Sequence, residues 1–246
     1  MRQAVVSRED RRFFRHAGVD IQGVMRAFVA TYVKKGATQG GSSLTQQYVK
    51  NVLLLQAQED NDPIAEYHAS EETVARKLRE MLIAVQMEKT YSKLEILQGY
   101  LNIAQFGRGI YGVEMAARRY FSTTADKLDI VQAATIAAIT KNPAAFDPSV
   151  ESNQKASQRE RNIVLDLMYQ EEYISQKQRD EAKAKPLKDT LKLQDAQAGC
   201  SASGDAAFFC DYVTKKILNS KEFGKTIEER KKLLYEGGLD IYTTCL

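Results

Sequence analysis

Two acids stand side by side at Glu9 and Asp10, inside the run Arg8-Glu9-Asp10-Arg11-Arg12-Phe13-Phe14-Arg15-His16-Ala17-Gly18. Arg8, Arg11, Arg12 and Arg15 surround them, and a nearby cation favours the charged form of a carboxyl, so either acid is placed to stay ionised. An ionised carboxylate at a cleft can take a proton from a sugar hydroxyl. The plain alternative is a helix end with surface ion pairs.

Three further clusters carry polar chemistry. Gln39-Gly40-Gly41-Ser42-Ser43-Leu44-Thr45-Gln46-Gln47, followed by Lys50, combines glycines that let a ligand approach the backbone with hydroxyls that can cap a helix. A helix N-terminus also attracts anions, although this run is not a phosphate-binding P-loop, which needs Gly-Lys-Ser/Thr in register. Arg76-Lys77-Leu78-Arg79-Glu80 sets three cations beside one acid, either as surface pairs or as a diphosphate site with a carboxylate beside it. Lys93 to Asn102 is mostly an apolar stripe, and Asn102 is the residue there with no packing reason.

Helices must position these groups. Ile21, Met25, Phe28, Val29 and Tyr32 recur at helical spacing, as do Val74, Leu78, Met81, Leu82 and Val85. On the second of these helices the apolar stripe predicts an inward face near Leu78 and Val85, with Arg76, Arg79 and Glu80 opposite it. A third helix is expected from Ser92 to Ala104, where Ser92 and Glu95 form a capping box. A fourth runs from about Lys127 to Thr140 and stops at Asn142-Pro143. A fifth begins near Ser152. The sequence to about Ala184 therefore reads as a helical domain, and 185–246 as a linker. In that linker Phe208–Leu218 suits a helix and Leu239–Thr244 alternates like a β-strand.

With 43% hydrophobic and 27% charged residues, the composition is that of a folded globular chain and excludes general disorder. The longest nearly apolar run, 130–139, falls well short of the ~20 residues of a bilayer span. The opening residues read as the middle of a helix, so the sequence is expected to be a piece of a longer chain. A net charge of +3 hides an asymmetry: over residues 1–120, 17 Lys and Arg face 13 Asp and Glu, six of which fall in Glu59–Glu72. Excess positive charge suits an anionic partner (nucleic acid, lipid headgroups or a phosphorylated substrate) or simply a solvated surface. Cys200 and Cys210 flank a short loop and can form a disulfide or remain two thiols. Two histidines and no CxxC spacing argue against zinc.

Taken in order, EDxxFxxHxG (9–18), GGSxxTQQ (40–47), RKxxE (76–80) and KxxILxxYLN (93–102) resemble the peptidoglycan glycosyltransferase domain, glycosyltransferase family 51, of class A penicillin-binding proteins. Ala116-Ala117-Arg118-Arg119-Tyr120-Phe121 and Asn142-Pro143 fit the same pattern, and the likeness extends over about 1–168. Departures are Ser43 where the family usually has Thr, Gln98 and Gln132 in place of frequent Glu, and an acidic insertion over Gln56–Glu72.

The resemblance implies a lysozyme-like, mainly α-helical domain with a small membrane-dipping lobe, followed by a short mixed linker ending in a β-strand. That linker leads toward a transpeptidase domain. It implies polymerisation of lipid II onto a growing glycan strand with inversion, and release of undecaprenyl diphosphate. Glu9 becomes the general base and Glu80 a second acid near the donor diphosphate, acting directly or through a divalent cation (Mg or Mn). Arg26, Lys50, Arg76, Lys77 and Arg79 would neutralise the diphosphate. Ser42, Thr45, Gln46, Gln47 and Asn102 would orient sugar and phosphate, and Asp10 would support Glu9. Phe13 and His16 are expected to be scaffold. Inhibition by moenomycin, a phosphoglycolipid, also follows. The implied location is the outer face of the bacterial cytoplasmic membrane, held by a transmembrane helix ahead of this sequence. Oxidation of Cys200 and Cys210 to a disulfide is allowed there. Two other readings stay open: a lysozyme-like hydrolase or lytic enzyme, which needs a protonated Glu9 in an apolar pocket, and a basic helical nucleic-acid-binding module, for which neither glutamate has a role.

Overall fold

The run Ile130–Ile139 is apolar except at Gln132 and at Thr135, whose hydroxyl bonds back to the Val131 carbonyl, and a helix of that kind belongs in an interior. In the computed structural model it is the central helix, with every residue from Ala133 to Ile139 buried. The structure describes residues 1–28, 41–194, 200, 206–236 and 241. Compactness divides the chain into two units, Met1–Gln194 and Asp195–Leu246.

The first unit contains α1 (Arg2–Glu9), α2 (Ile21–Phe28), α3 (Leu44–Glu59), α4 (Pro63–Ser70), α5 (Val74–Thr90), α6 (Lys93–Ile103), α7 (Val113–Phe121), α8 (Ile130–Ile139), α9 (Gln154–Gln170), α10 (Gln176–Ala184) and α11 (Leu187–Thr190). Among the described residues there is no strand, and Gln105 and Tyr111 make one isolated antiparallel bridge. Helices α1, α7, α9 and α10 pack on α8, while α4, α5 and α6 pack on α3. Ile136, Ile139 and Leu165 are fully buried in the α8 layer, each contributing roughly 1.5–3 kcal/mol.

Helix starts follow the local chemistry. Ser43, Ser92, Asp129 and Ser175 each accept from the backbone three residues on, while Gln46, Glu95, Gln132 and Gln178 bond back to the cap, forming four reciprocal capping boxes. The box at Asp129 starts α8 there rather than at Lys127, because Ala125–Lys127 forms a separate 3-10 turn. Another 3-10 turn, Glu151–Asn153, precedes α9. The acidic insertion is ordered: α3 continues through it to Glu59, and α4, begun by Asp62 and Pro63, folds back on α3.

Helix α5 is turned opposite to its apolar stripe. Its buried residues are Arg76, Glu80 and Ala84, whereas Val74, Leu78 and Leu82 are 76%, 56% and 74% exposed. The reason is pairing: Arg76 and Glu80 bond each other across one helical turn, and the Arg76 Nε–H donates to the Glu71 carbonyl. A buried charge is tolerated when it is paired in this way. Ala84 is drawn inward by Gly18, which has φ +84° and whose missing Cβ would lie 2.7 Å from the Ala84 backbone. Only glycine suits that conformation and that approach.

The first unit extends through the segment after Ala184. Leu187 is buried, and the Lys192 and Gln194 amides donate at 2.8 and 2.9 Å to the Tyr120 and Arg119 carbonyls at the end of α7. These bonds satisfy carbonyls that a helix C-terminus leaves open. In the second unit α12 (Ala207–Asn219) packs on α13 (Ile227–Glu236), and a Cys200–Cys210 disulfide, Cα–Cα 5.2 Å, ties the chain ahead of α12 to its first turn. The strand expected over Leu239–Thr244 lies outside the described residues except for Ile241, which is exposed and outside any regular element. Val29, Tyr32 and Gly40 also lie outside them.

Candidate active site

Glu9 ends α1, half-buried, and both of its carboxylate oxygens are used. Gln47 Nε2 donates to Oε2 at 3.0 Å, and Thr140 Oγ1 donates to Oε1 at 2.6 Å. The orientation of the Gln47 amide follows from its other end, where Tyr100 Oη donates to Gln47 Oε1 at 3.3 Å. Burial, and then the charge of Glu9, push the Tyr100 hydroxyl well above its ordinary pKa, so it remains a donor. Glu9 thus meets neutral donors from α3 and from the end of α8.

The arginines expected to hold Glu9 and Asp10 ionised turn elsewhere. Arg8 pairs with Glu160 of α9 at 2.7 Å, Arg11 lies 4.0 Å from Glu171, and Arg12 lies 3.4 Å from Asp20. Their side chains are long enough to reach outward from a helix end, and acids on α9 and ahead of α2 are waiting for them. Asp10 is buried; its Oδ2 accepts from His16 Nε2 at 2.8 Å and from the Leu44 amide at 3.0 Å. It therefore anchors the start of α3, where a negative charge also suits the helix dipole. Asp10, a candidate both for supporting Glu9 and for binding substrate, faces these two inward donors. Phe13 is fully buried under Lys93, whose Nζ is 4.5 Å from the ring centroid.

A second cluster forms around Glu80, which is 1% exposed. Arg76 Nη1 bonds its Oε1, Lys77 Nζ lies 3.2 Å from Oε2, and the same Nζ donates to Ser42 Oγ at 3.0 Å. Arg76, Lys77, Glu80 and Ser42 therefore come together, but Glu80 is a closed counter-ion rather than an open acid. A divalent cation is the one cofactor the sequence leaves open. At Glu80 it would have to displace Arg76 and Lys77, and no three His, Cys, Asp or Glu side chains converge among the described residues. The donor set does not fit such an ion.

The remaining expected residues divide. Thr45 is fully buried and donates to Glu88, and Gln46 is 1% exposed, with its Oε1 capping Ser43; both serve the α3 terminus instead of an open surface. Lys50 follows Gln47 by one helical turn, on the same face of α3, half-buried and with no ion pair among the described residues. Arg26 and Arg79 are exposed and likewise unpaired among them. Asn102 is exposed on α6, two residues from the inward Tyr100 and so on the other side of that helix. The structure does not bring it to Glu9.

Thr140 and Glu160 are absent from the sequence-based set. Thr140 carries no motif of its own; the stop at Asn142-Pro143 is the signal that it ends a helix. Glu160 binds Arg8 through Oε2 and Lys141 Nζ through Oε1 at 3.2 Å, so one α9 carboxylate grips the chain beside Glu9 and beside Thr140.

Residues 1–169 match the family described as Transglycosylase. Three curated proteins align over nearly the whole chain. They are penicillin-binding protein 1A of Aquifex aeolicus (36% identity, 98% of this chain and 29% of that protein), penicillin-binding protein 1A/1B of Bacillus subtilis (34%, 99% and 24%) and penicillin-binding protein 1A of Streptococcus pneumoniae (34%, 98% and 30%). The chain thus spans roughly a quarter to a third of the length of these relatives.

Proposed function

The chain belongs to the transglycosylase family found in class A penicillin-binding proteins, and on that footing we propose that it polymerises lipid II into β-1,4 glycan. The observation that carries this reading is Glu9, a carboxylate with a hydrogen bond on each oxygen and no ion pair among the described residues. A group held in this way is set to accept a proton. The 4-hydroxyl of the incoming lipid II loses its proton to Glu9 as its oxygen attacks the anomeric carbon of the growing strand. The bond from that carbon to the diphosphate breaks, and its electron pair leaves with the diphosphate oxygen.

Charge grows on the leaving diphosphate, and preorganised cations stabilise it. Arg26, Lys50 and Arg79 are open for that role. Lys77 already spans Ser42 and Glu80 and needs only to turn toward an incoming phosphate. Glu80 holds Arg76 and Lys77 in place, and Gln47 holds Glu9. Asn102 is kept as a substrate-binding candidate on its exposed face. No helix of the described residues is long and apolar enough to cross a membrane. The exposed apolar side chains of α2, α4 and α5 (Ile21, Met25, Ile64, Tyr67, Leu78 and Leu82) suit contact with the lipid surface that carries the substrate. The outer face of the cytoplasmic membrane, an anchoring helix and a transpeptidase domain in the same chain belong to this proposal.

Hydrolysis of finished glycan is less well served, because a general acid needs a protonated carboxyl in an apolar setting. Incubation with lipid II tests the reading: polymer and free undecaprenyl diphosphate are expected from the wild type. E9Q should lose about 10²–10⁴-fold in rate while keeping its helical content. Near-wild-type turnover by E9Q would remove Glu9 from the chemistry.

A further inference from the structure

The bond between Thr140 and Glu9 joins residues 131 positions apart, and it involves a hydroxyl with two neighbours and a single proton. Oγ1 lies 2.6 Å from Glu9 Oε1 and 2.8 Å from the Ala137 carbonyl of the preceding helical turn. Only one of these two acceptors can receive the proton at a time. The ionised carboxylate is the stronger acceptor. Gln47 has no such freedom, because Tyr100 fixes its carbonyl end and its amide can only donate.

We propose that Thr140 is a positioning residue for Glu9, giving its proton to the Glu9 carboxylate while that group is ionised and to the Ala137 carbonyl once Glu9 is protonated. In the second state Oγ1 accepts from the Glu9 O–H, so the pair stays bonded through the catalytic cycle. No covalent bond of Thr140 changes; its hydroxyl rotates, and the proton on Glu9 is the one taken from the acceptor hydroxyl. Glu9 is thereby held in one place in both states by neutral hydrogen-bond partners. The other charged groups nearby are engaged: Asp10 with His16, and Arg8 and Lys141 with Glu160.

The inference rests on Glu9 being the base, and the experiment separates the two. Lipid II polymerisation is measured for wild type, T140V, T140S and E9Q, as kcat, KM and the kcat–pH profile, with thermal unfolding as a control on folding. T140V should lower kcat about tenfold with KM for lipid II nearly unchanged, since one hydrogen bond to a charged group is removed. The acid limb of its profile should move to higher pH, because the ionised carboxylate has lost a donor. T140S, which restores the hydroxyl, should recover both properties. Inactive E9Q together with wild-type kcat and profile in T140V would overturn this inference alone. So would a folded T140S no better than T140V. Active E9Q would overturn the base assignment and this inference with it.

Discussion

Glu9, the proposed base, is oriented by neutral donors while its sequence neighbours Arg8, Arg11 and Arg12 turn elsewhere. Arg8, Arg11 and Arg12 are beside it in the chain but spend their charge on Glu160, Glu171 and Asp20. Sequence adjacency says little about where a long guanidinium side chain ends, because the partner is chosen by the fold. Glu9 stands out in its motif as a candidate; its donors Gln47 and Thr140 come from elements far along the chain, and only Gln47 lay in a recognisable pattern. The unpaired cations lead to a prediction at this scale. K50A and R79A should each weaken moenomycin binding by roughly 1.5–3 kcal/mol, the worth of a charge-assisted hydrogen bond, as read by calorimetry. Unchanged affinity in both variants would put the phosphate site elsewhere.

Among the elements, helix starts were the easiest to read. Ser92 with Glu95 is a local pattern whose energy is local, so tertiary structure had no cause to alter it. The orientation of α5 was not legible. Its stripe of Val74, Leu78 and Leu82 has the period of an inward face, yet the inward face is Arg76, Glu80 and Ala84. Periodicity weighs each side chain singly and cannot register that Arg76 and Glu80 neutralise each other, or that the glycine at 18 lets the α5 backbone at Ala84 come close. Two outcomes are expected for the double variant L78Q/L82Q. Its unfolding free energy should change by no more than about 0.5 kcal/mol per site, as for other exposed positions. Its sedimentation with phospholipid vesicles should fall. A large loss of thermal stability would mean that these leucines are core residues after all.

For the molecule as a whole, the motifs all lie in the first unit, and the second contributes a disulfide and two packed helices. Cys200 and Cys210 close a loop of about ten residues, which in the chain-entropy model stabilises the folded unit by on the order of 2–3 kcal/mol. C200S/C210S should therefore lower the stability of the second unit by about that amount and leave the polymerisation proposed for the first unit within about twofold. Protease susceptibility mapped by mass spectrometry reads the first effect and product gels the second. A collapse of polymerisation in a protein whose first unit still melts normally would contradict this separation. The mainly helical class was visible from the helical spacing of apolar residues and from the Ser92 capping box, whereas the packing within the second unit had no comparable sequence pattern.

Glu160 answers to two partners at once. One of its oxygens serves Arg8, the residue before Glu9, and the other serves Lys141, the residue after Thr140. The consequence is epistasis. An exchange at Arg8 leaves Glu160 its lysine, and an exchange at Lys141 leaves it its arginine. An exchange at Glu160 breaks both pairs in one step, leaving the largely buried Arg8 without its acid while Lys141, 54% exposed, stays solvated. Sequence drift can therefore pass through Lys141 more readily than through Arg8 or Glu160, a residue with no hydrogen bond to Glu9.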